Sequence, residues 1–100
     1  ARYRHARDMV ARVIRLTGIM SCAPDEAATV RDALPDHVWL TRQEPGCLSF
    51  DIAETAPGVF SVSERFADRA AFDAHQARTR ASEWWQVTGH MARDFALDGE

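Results

Sequence analysis

The stretch Glu44–Phe66, EPGCLSFDIAETAPGVFSVSERF, decides the fold. It opens on Pro45-Gly46, where proline cannot continue a helix and glycine accepts the positive φ of a tight turn. The residues that follow alternate, with Leu48, Phe50 and Ile52 pointing one way and Cys47, Ser49 and Asp51 the other. After the connecting turn ETAPG (54–58), the run VFSVSERF (59–66) alternates again. Two half-buried strands, over 47–53 and 59–66, are therefore predicted to pair as a hairpin.

Outward from the hairpin, ARVIRLTGIM (11–20) is apolar, β-branched and of strand length. SCAPDE (21–26) reads as a helix start, with Ser21 or Cys22 near the cap, Pro24 in the first turn, and Asp25 and Glu26 at the positive end of the dipole. Ala27, Val30, Leu34 and Val38 recur at helical spacing, and Pro35 is expected to kink or split that helix. Beyond the hairpin, Asp68 is placed to cap a helix that sets Ala71, Phe72, His75 and Thr79 on one face. A further helical stretch around 80–88 carries Trp84 and Trp85, and a last strand over about 90–97 puts Met91, Phe95 and Leu97 on one side. The order β-α-β-β-α-β predicts an α+β, ferredoxin-like domain, with one antiparallel sheet covered by helices on one face. Residues 1–8 read as an N-terminal extension and 9–100 as a single domain.

Composition narrows the function classes. The net charge is −3, and all 12 cationic residues are scattered arginines, which gives no basic patch for nucleic acid. No apolar run approaches the ~20 residues that span a bilayer, and no signal peptide is visible, so a cytoplasmic protein with no membrane partner is expected. Cys22 ends the first strand and Cys47 begins the second, which runs parallel to it. That places them at opposite ends of the sheet, beyond the ~7 Å limit for a disulfide, and predicts two free thiols. There is no CxxC, and His5, His37 and His90 show no metal spacing with one another or with His75, so no metal is expected. The dinucleotide, P-loop, HExxH, EF-hand and GxSxG motifs are all missing, and no cofactor is expected.

The candidate site rests on two polar residues that break apolar patterns. Glu64 shares the parity of Phe60, Val62 and Phe66 and should face the helices, the only charge on that side of the hairpin. An isolated buried carboxylate needs a partner, a wet cavity or a raised pKa. On the facing helix the polar exception is His75, one turn after Phe72. Together they mark a polar spot between sheet and helix, where a pocket would form. The plainer readings are that His75 satisfies a backbone carbonyl, that Glu64 pairs with an arginine such as Arg93, and that Trp39, Trp84 and Trp85 are packing residues. Cys47 reads as a small buried hydrophobe.

EPGCLSFDI, then PGVFSVSERF, then ADRAAFDAH resembles the antibiotic biosynthesis monooxygenase family, over about residues 11–97. The pattern is E-P-G-C before a strand (Glu44 to Cys47), a strand ending in E-x-aromatic (Glu64 and Phe66), and a helix with an A-H pair (Ala74-His75). The resemblance implies a homodimeric α+β barrel, with two sheets packed face to face. It also implies a pocket between sheet and helices in which a quinol or phenol-like aromatic is oxidised by dioxygen without metal or flavin. On that reading His75 and Glu64 are the catalytic pair, His75 as base or hydrogen-bond partner and Glu64 as its orienting or polarising group. Phe50, Phe66, Phe72 and Trp84 are the substrate-binding aromatics. Haem-degrading relatives use an asparagine on the first strand and a tryptophan at the Phe66 position, and this chain has no asparagine. The alternatives are a non-catalytic ligand-binding or dimerisation module of the same fold, and a haem-binding stress protein using His75.

Overall fold

The structure, a computed structural model, describes residues 12–99, so the proposed extension over residues 1–8 lies outside it. The strands are β1 (Ile14–Ser21), β2 (Cys47–Ala56), β3 (Val59–Phe66) and β4 (Ala92–Gly99). A 3-10 turn over Pro24–Glu26 leads into α1 (Ala27–Arg42), and α2 (Arg69–Arg80) and α3 (Glu83–Thr88) precede β4. The strands form one antiparallel sheet in the order β2-β3-β1-β4, the split β-α-β arrangement of a ferredoxin-like α+β fold. Ile14, Leu16, Met20, Phe60, Val62 and Phe66 face the helices and join Val30, Phe72 and Trp84 in one core. Cys22 and Cys47 are both free, at opposite ends of the sheet.

Several local expectations change. The register of β2 against β3 shifts between Cys47 and Ser49, and this bulge turns Leu48 outward, 51% exposed, while Cys47 packs against the core. Strand β2 continues to Ala56, which puts Glu54 on the helix-facing side too; it binds Arg31 of α1 through both carboxylate oxygens at 2.7 and 3.0 Å. Helix α1 runs unbroken through Pro35. It buries Val30, His37 and Thr41, leaving Leu34 and Val38 only half-buried, so the stripe read from the apolar residues is rotated toward a histidine and a threonine. Ser21 belongs to β1, and Ala23 holds the N-cap position of the turn that follows, with no side-chain cap. Strand β4 begins two residues later than expected, which places the buried Met91 just before it and leaves Leu97 half exposed.

Two side-chain caps position helices, and one glycine positions a strand. Asp68 accepts a hydrogen bond from the Ala71 amide at 2.8 Å and starts α2. Ser82 does the same for α3 through the Trp85 amide. Gly18, with φ +153°, lets β4 approach β1: a Cβ there would lie 2.1 Å from the Asp94 carbonyl oxygen and 2.8 Å from the Phe95 ring. The other sheet face carries Thr17, Ile19, Ser49, Asp51, Ser61 and Ser63, small or polar apart from the half-exposed Ile19, and the outward-turned Leu48 adds a second apolar side chain at the start of β2. No helix among the described residues is long and apolar enough to cross a membrane.

Candidate active site

Glu64 and His75 do meet inside the protein. Glu64, from β3, is 5% exposed, and His75, from α2, is 3% exposed. His75 Nε2 lies 3.8 Å from Glu64 Oε1, and that oxygen has no hydrogen-bond partner among the described residues. At this separation the two face each other without a direct hydrogen bond. Burial raises the Glu64 carboxyl from 4.5 to about 7, and the charge of Glu44 adds to the rise. Arg93 does not serve as its partner: it donates to the Thr88 and Met91 carbonyls and to Thr88 Oγ1, with its guanidinium 4.7 Å from the Trp85 ring.

Orientation of His75 comes from Glu44, a residue the sequence marks only as the first of the E-P-G-C pattern. His75 Nδ1 sits 2.7 Å from Glu44 Oε1, and Arg78 Nε donates to Glu44 Oε2 at 2.6 Å. Arg78 also donates to Thr41 Oγ1 at 2.9 Å, tying α2 to α1. With its second oxygen engaged by a guanidinium, the Glu44 carboxylate accepts, so Nδ1 carries the proton and Nε2 is the acceptor. Burial, outweighing the attraction and hydrogen bond of Glu44, keeps the His75 pKa below the usual imidazole value. Thr79, one turn on, has its hydroxyl 3.4 Å from Nε2. The plain expectation of a backbone carbonyl for this histidine is therefore replaced by a carboxylate–imidazole pair.

The expected aromatic walls divide. A chamber of about 150 Å3 lies between the sheet and the helices, and Glu64, His75, Phe50, Trp84 and His37 line it, with Arg93 among its polar neighbours. Phe66 and Phe72 do not line it. Phe66 stacks behind His75, with ring centroids 4.9 Å apart, and Phe72 packs edge-on against Phe66. These two rings hold the imidazole in place from the core side.

His37 is the site residue the sequence reading passed over. It is 4% exposed, stacks flat on Trp84 at 4.8 Å and 5°, and meets Phe50 edge-on at 5.4 Å. Burial, with the positive charge of neighbouring groups, drives its pKa down to about 3, so it is neutral. The available signal was the i, i+4 spacing of His37 and Thr41, two polar positions on the helix face that begins at Val30. A larger groove of about 680 Å3 opens outside the His37–Trp84 stack, between α1 and α3. Glu64 and His75 line the smaller chamber and not this groove. Among the described residues no group of three or more His, Cys, Asp or Glu side chains is placed to hold a metal ion.

Fold and site together define a ferredoxin-like α+β protein with a buried acid–imidazole chamber between its sheet and helices. Residues 9–87 match the sequence model of the antibiotic biosynthesis monooxygenase family, and the chain belongs to that family. Among solved structures it is similar to Rv0793 from Mycobacterium tuberculosis, at 24% identity and a TM-score of 0.70 over 88% of this chain and 94% of that one. It is also similar to a Nitrosomonas europaea protein named for the same family, at 22% identity and a TM-score of 0.75 over 92% of each chain. A third, likewise named for the family, comes from Caulobacter crescentus, at 20% identity and a TM-score of 0.71 over 97% of each chain. At these identities the likeness is one of fold. No curated protein matches the chain.

Proposed function

We propose that this protein is a monooxygenase that oxidises a quinol or phenol-like aromatic with dioxygen, with His75 as the base and Glu64 as the neighbouring proton carrier. The observation that carries this reading is the His75 Nε2 lone pair, oriented by Glu44, beside an unpartnered Glu64 oxygen 3.8 Å away, both on the wall of a ring-sized chamber.

A phenolic hydroxyl that bridges Nε2 and Glu64 from the chamber side gives its proton to Nε2. The aryl oxide that results is electron-rich, and the Arg93 guanidinium at the chamber wall favours its negative charge. Phe50 and Trp84 keep the ring dry and flat. Dioxygen then takes four electrons from the substrate. Hydroquinone plus O2 gives hydroxybenzoquinone plus water: one oxygen atom enters the ring, the other leaves as water, and no external reductant is needed. Glu64, titrating near neutrality, both holds and releases protons during these steps. The haem alternative fits poorly, because a chamber of about 150 Å3 has no room for a porphyrin. A face-to-face homodimer through the sheet's outer surface, and a reducing, cytoplasmic setting consistent with two free thiols, belong to the same proposal.

Oxygen uptake driven by one-ring hydroquinones tests it. The wild type consumes oxygen, and a folded His75→Ala variant loses roughly two to four orders of magnitude in rate. Unchanged turnover in that variant removes His75 from the chemistry. Ligand binding with no oxygen uptake across the panel supports the non-catalytic binding module instead.

A further inference from the structure

We infer that His37 is a second substrate-contacting residue, and that the chamber is built for a single aromatic ring bearing two oxygens, one met by the Glu64–His75 pair and the other by His37. This rests on the reading of the chamber as the substrate site and adds a recognition element to it.

Two buried polar side chains line the chamber with an atom left unpartnered among the described residues: Glu64 at Oε1 and His37 at Nδ1. Buried polar atoms in folded proteins are nearly always paired, so two orphans around one cavity point to polar groups that arrive with a guest. They come from different elements, β3 and α1, so one local irregularity does not account for both. The three rings of His37, His75 and Phe50 form a triangle with centroid separations of 5.9, 5.5 and 5.4 Å. His37 is held by its stack on Trp84 and by its place in α1, where its own carbonyl accepts from the buried Thr41 hydroxyl at 2.7 Å. Its ring is thus fixed while its hydrogen-bonding capacity stays unspent. As a neutral imidazole it can donate from one nitrogen and accept at the other.

The volume sets the size of the guest. A protein cavity of about 150 Å3 takes a benzene-sized ring. A second fused ring would have to project beyond that space. A phenol satisfies one orphan and leaves the other unpaired, whereas a benzenediol satisfies both. A missing partner in a buried site is what makes such discrimination steep.

Binding, measured without oxygen, tests this separately from catalysis. Anaerobic titrations of the wild type, followed by tryptophan fluorescence, should show hydroquinone binding roughly tenfold tighter than phenol. 1,4-Naphthohydroquinone should bind roughly tenfold weaker than hydroquinone, from the same order of contact energy. His37→Phe keeps a flat ring against Trp84 and removes both nitrogens, so the hydroquinone-to-phenol ratio should fall to about one; His37→Gln should restore most of it. A ratio near one in the wild type, or one that persists in His37→Phe, overturns the inference. Wild-type protein with 15N-labelled histidine gives a test that needs no variant: saturating hydroquinone should move the His37 ring-nitrogen resonances, and phenol should leave them in place. Unmoved His37 signals in the hydroquinone complex overturn it equally. Discrimination in binding without oxygen uptake keeps the His37 assignment and ends the catalytic reading; oxygen uptake without discrimination does the reverse.

Discussion

Replacing Glu64 by glutamine should make the protein more stable relative to wild type as the pH rises. Burial moves this carboxyl from 4.5 to about 7, so the folded state holds a proton that the unfolded chain has already released. The unfolded state binds fewer protons between these values, and wild-type stability therefore falls as pH rises through that window. The loss at pH 8, compared with pH 4, is about 3 kcal/mol from this group alone. Glutamine is neutral throughout and escapes the loss. His37 and His75, whose pKa values are lowered, work in the opposite direction, adding stability as pH rises toward 6.5. They titrate in both proteins and cancel in the difference. Urea unfolding of both proteins at pH 5, 6, 7 and 8 reads the effect, and the Glu64→Gln minus wild-type difference should climb by about 2–3 kcal/mol across the series. For a domain of this size, that corresponds to a shift of roughly 10–20 °C in relative Tm. Parallel stability curves would mean that Glu64 titrates like a solvated carboxylate, and the chamber chemistry would lose its acid.

Glu44→Ala leaves both Arg78 and the buried His75 without their carboxylate and should cost about 2 kcal/mol in urea unfolding, with the His75 pKa falling further by NMR titration. Gly18→Ala places a Cβ 2.1 Å from the Asp94 carbonyl oxygen at φ +153° and should cost about 3 kcal/mol, most of it seen as loosened β1–β4 pairing in hydrogen exchange. The bulge at Leu48 is checked by contrast: Leu48→Ser should change stability by less than about 0.5 kcal/mol, while Phe50→Ala should cost about 4 kcal/mol. Equal losses at the two positions would place Leu48 on the core face.

The hairpin was legible because alternation is a local signal. Phe50, Ile52, Phe60, Val62 and Glu64 all fall on the face that parity assigns them. Leu48 breaks the pattern because a bulge inserts one unpaired residue, and nothing in the apolar/polar string announces it. The polar exceptions were legible for the same reason, and Glu64 and His75 stand out against Val62 and Phe72. Their partner was not. Glu44 reaches His75 from 31 residues away through the turn at Pro45-Gly46, a tertiary contact with no periodic trace. His37 was hidden by the choice of stripe on α1: Val30, Leu34 and Val38 are more apolar than His37 and Thr41, yet the latter pair turns inward, because Trp84 stacks on one and Arg78 bonds the other. Phe66 stacks on His75 and Phe72 packs on Phe66, outside the chamber lining, and sequence spacing cannot separate a wall from a buttress.

The fate of labelled dioxygen puts the proposed chemistry to the sharpest test. With 18O2 and a one-ring hydroquinone, one labelled atom is expected in the hydroxyquinone, the other in water, and neither in quantity from a folded His75→Ala protein. Accumulation of hydrogen peroxide with an unlabelled quinone, or label incorporated at an undiminished rate without His75, would contradict it.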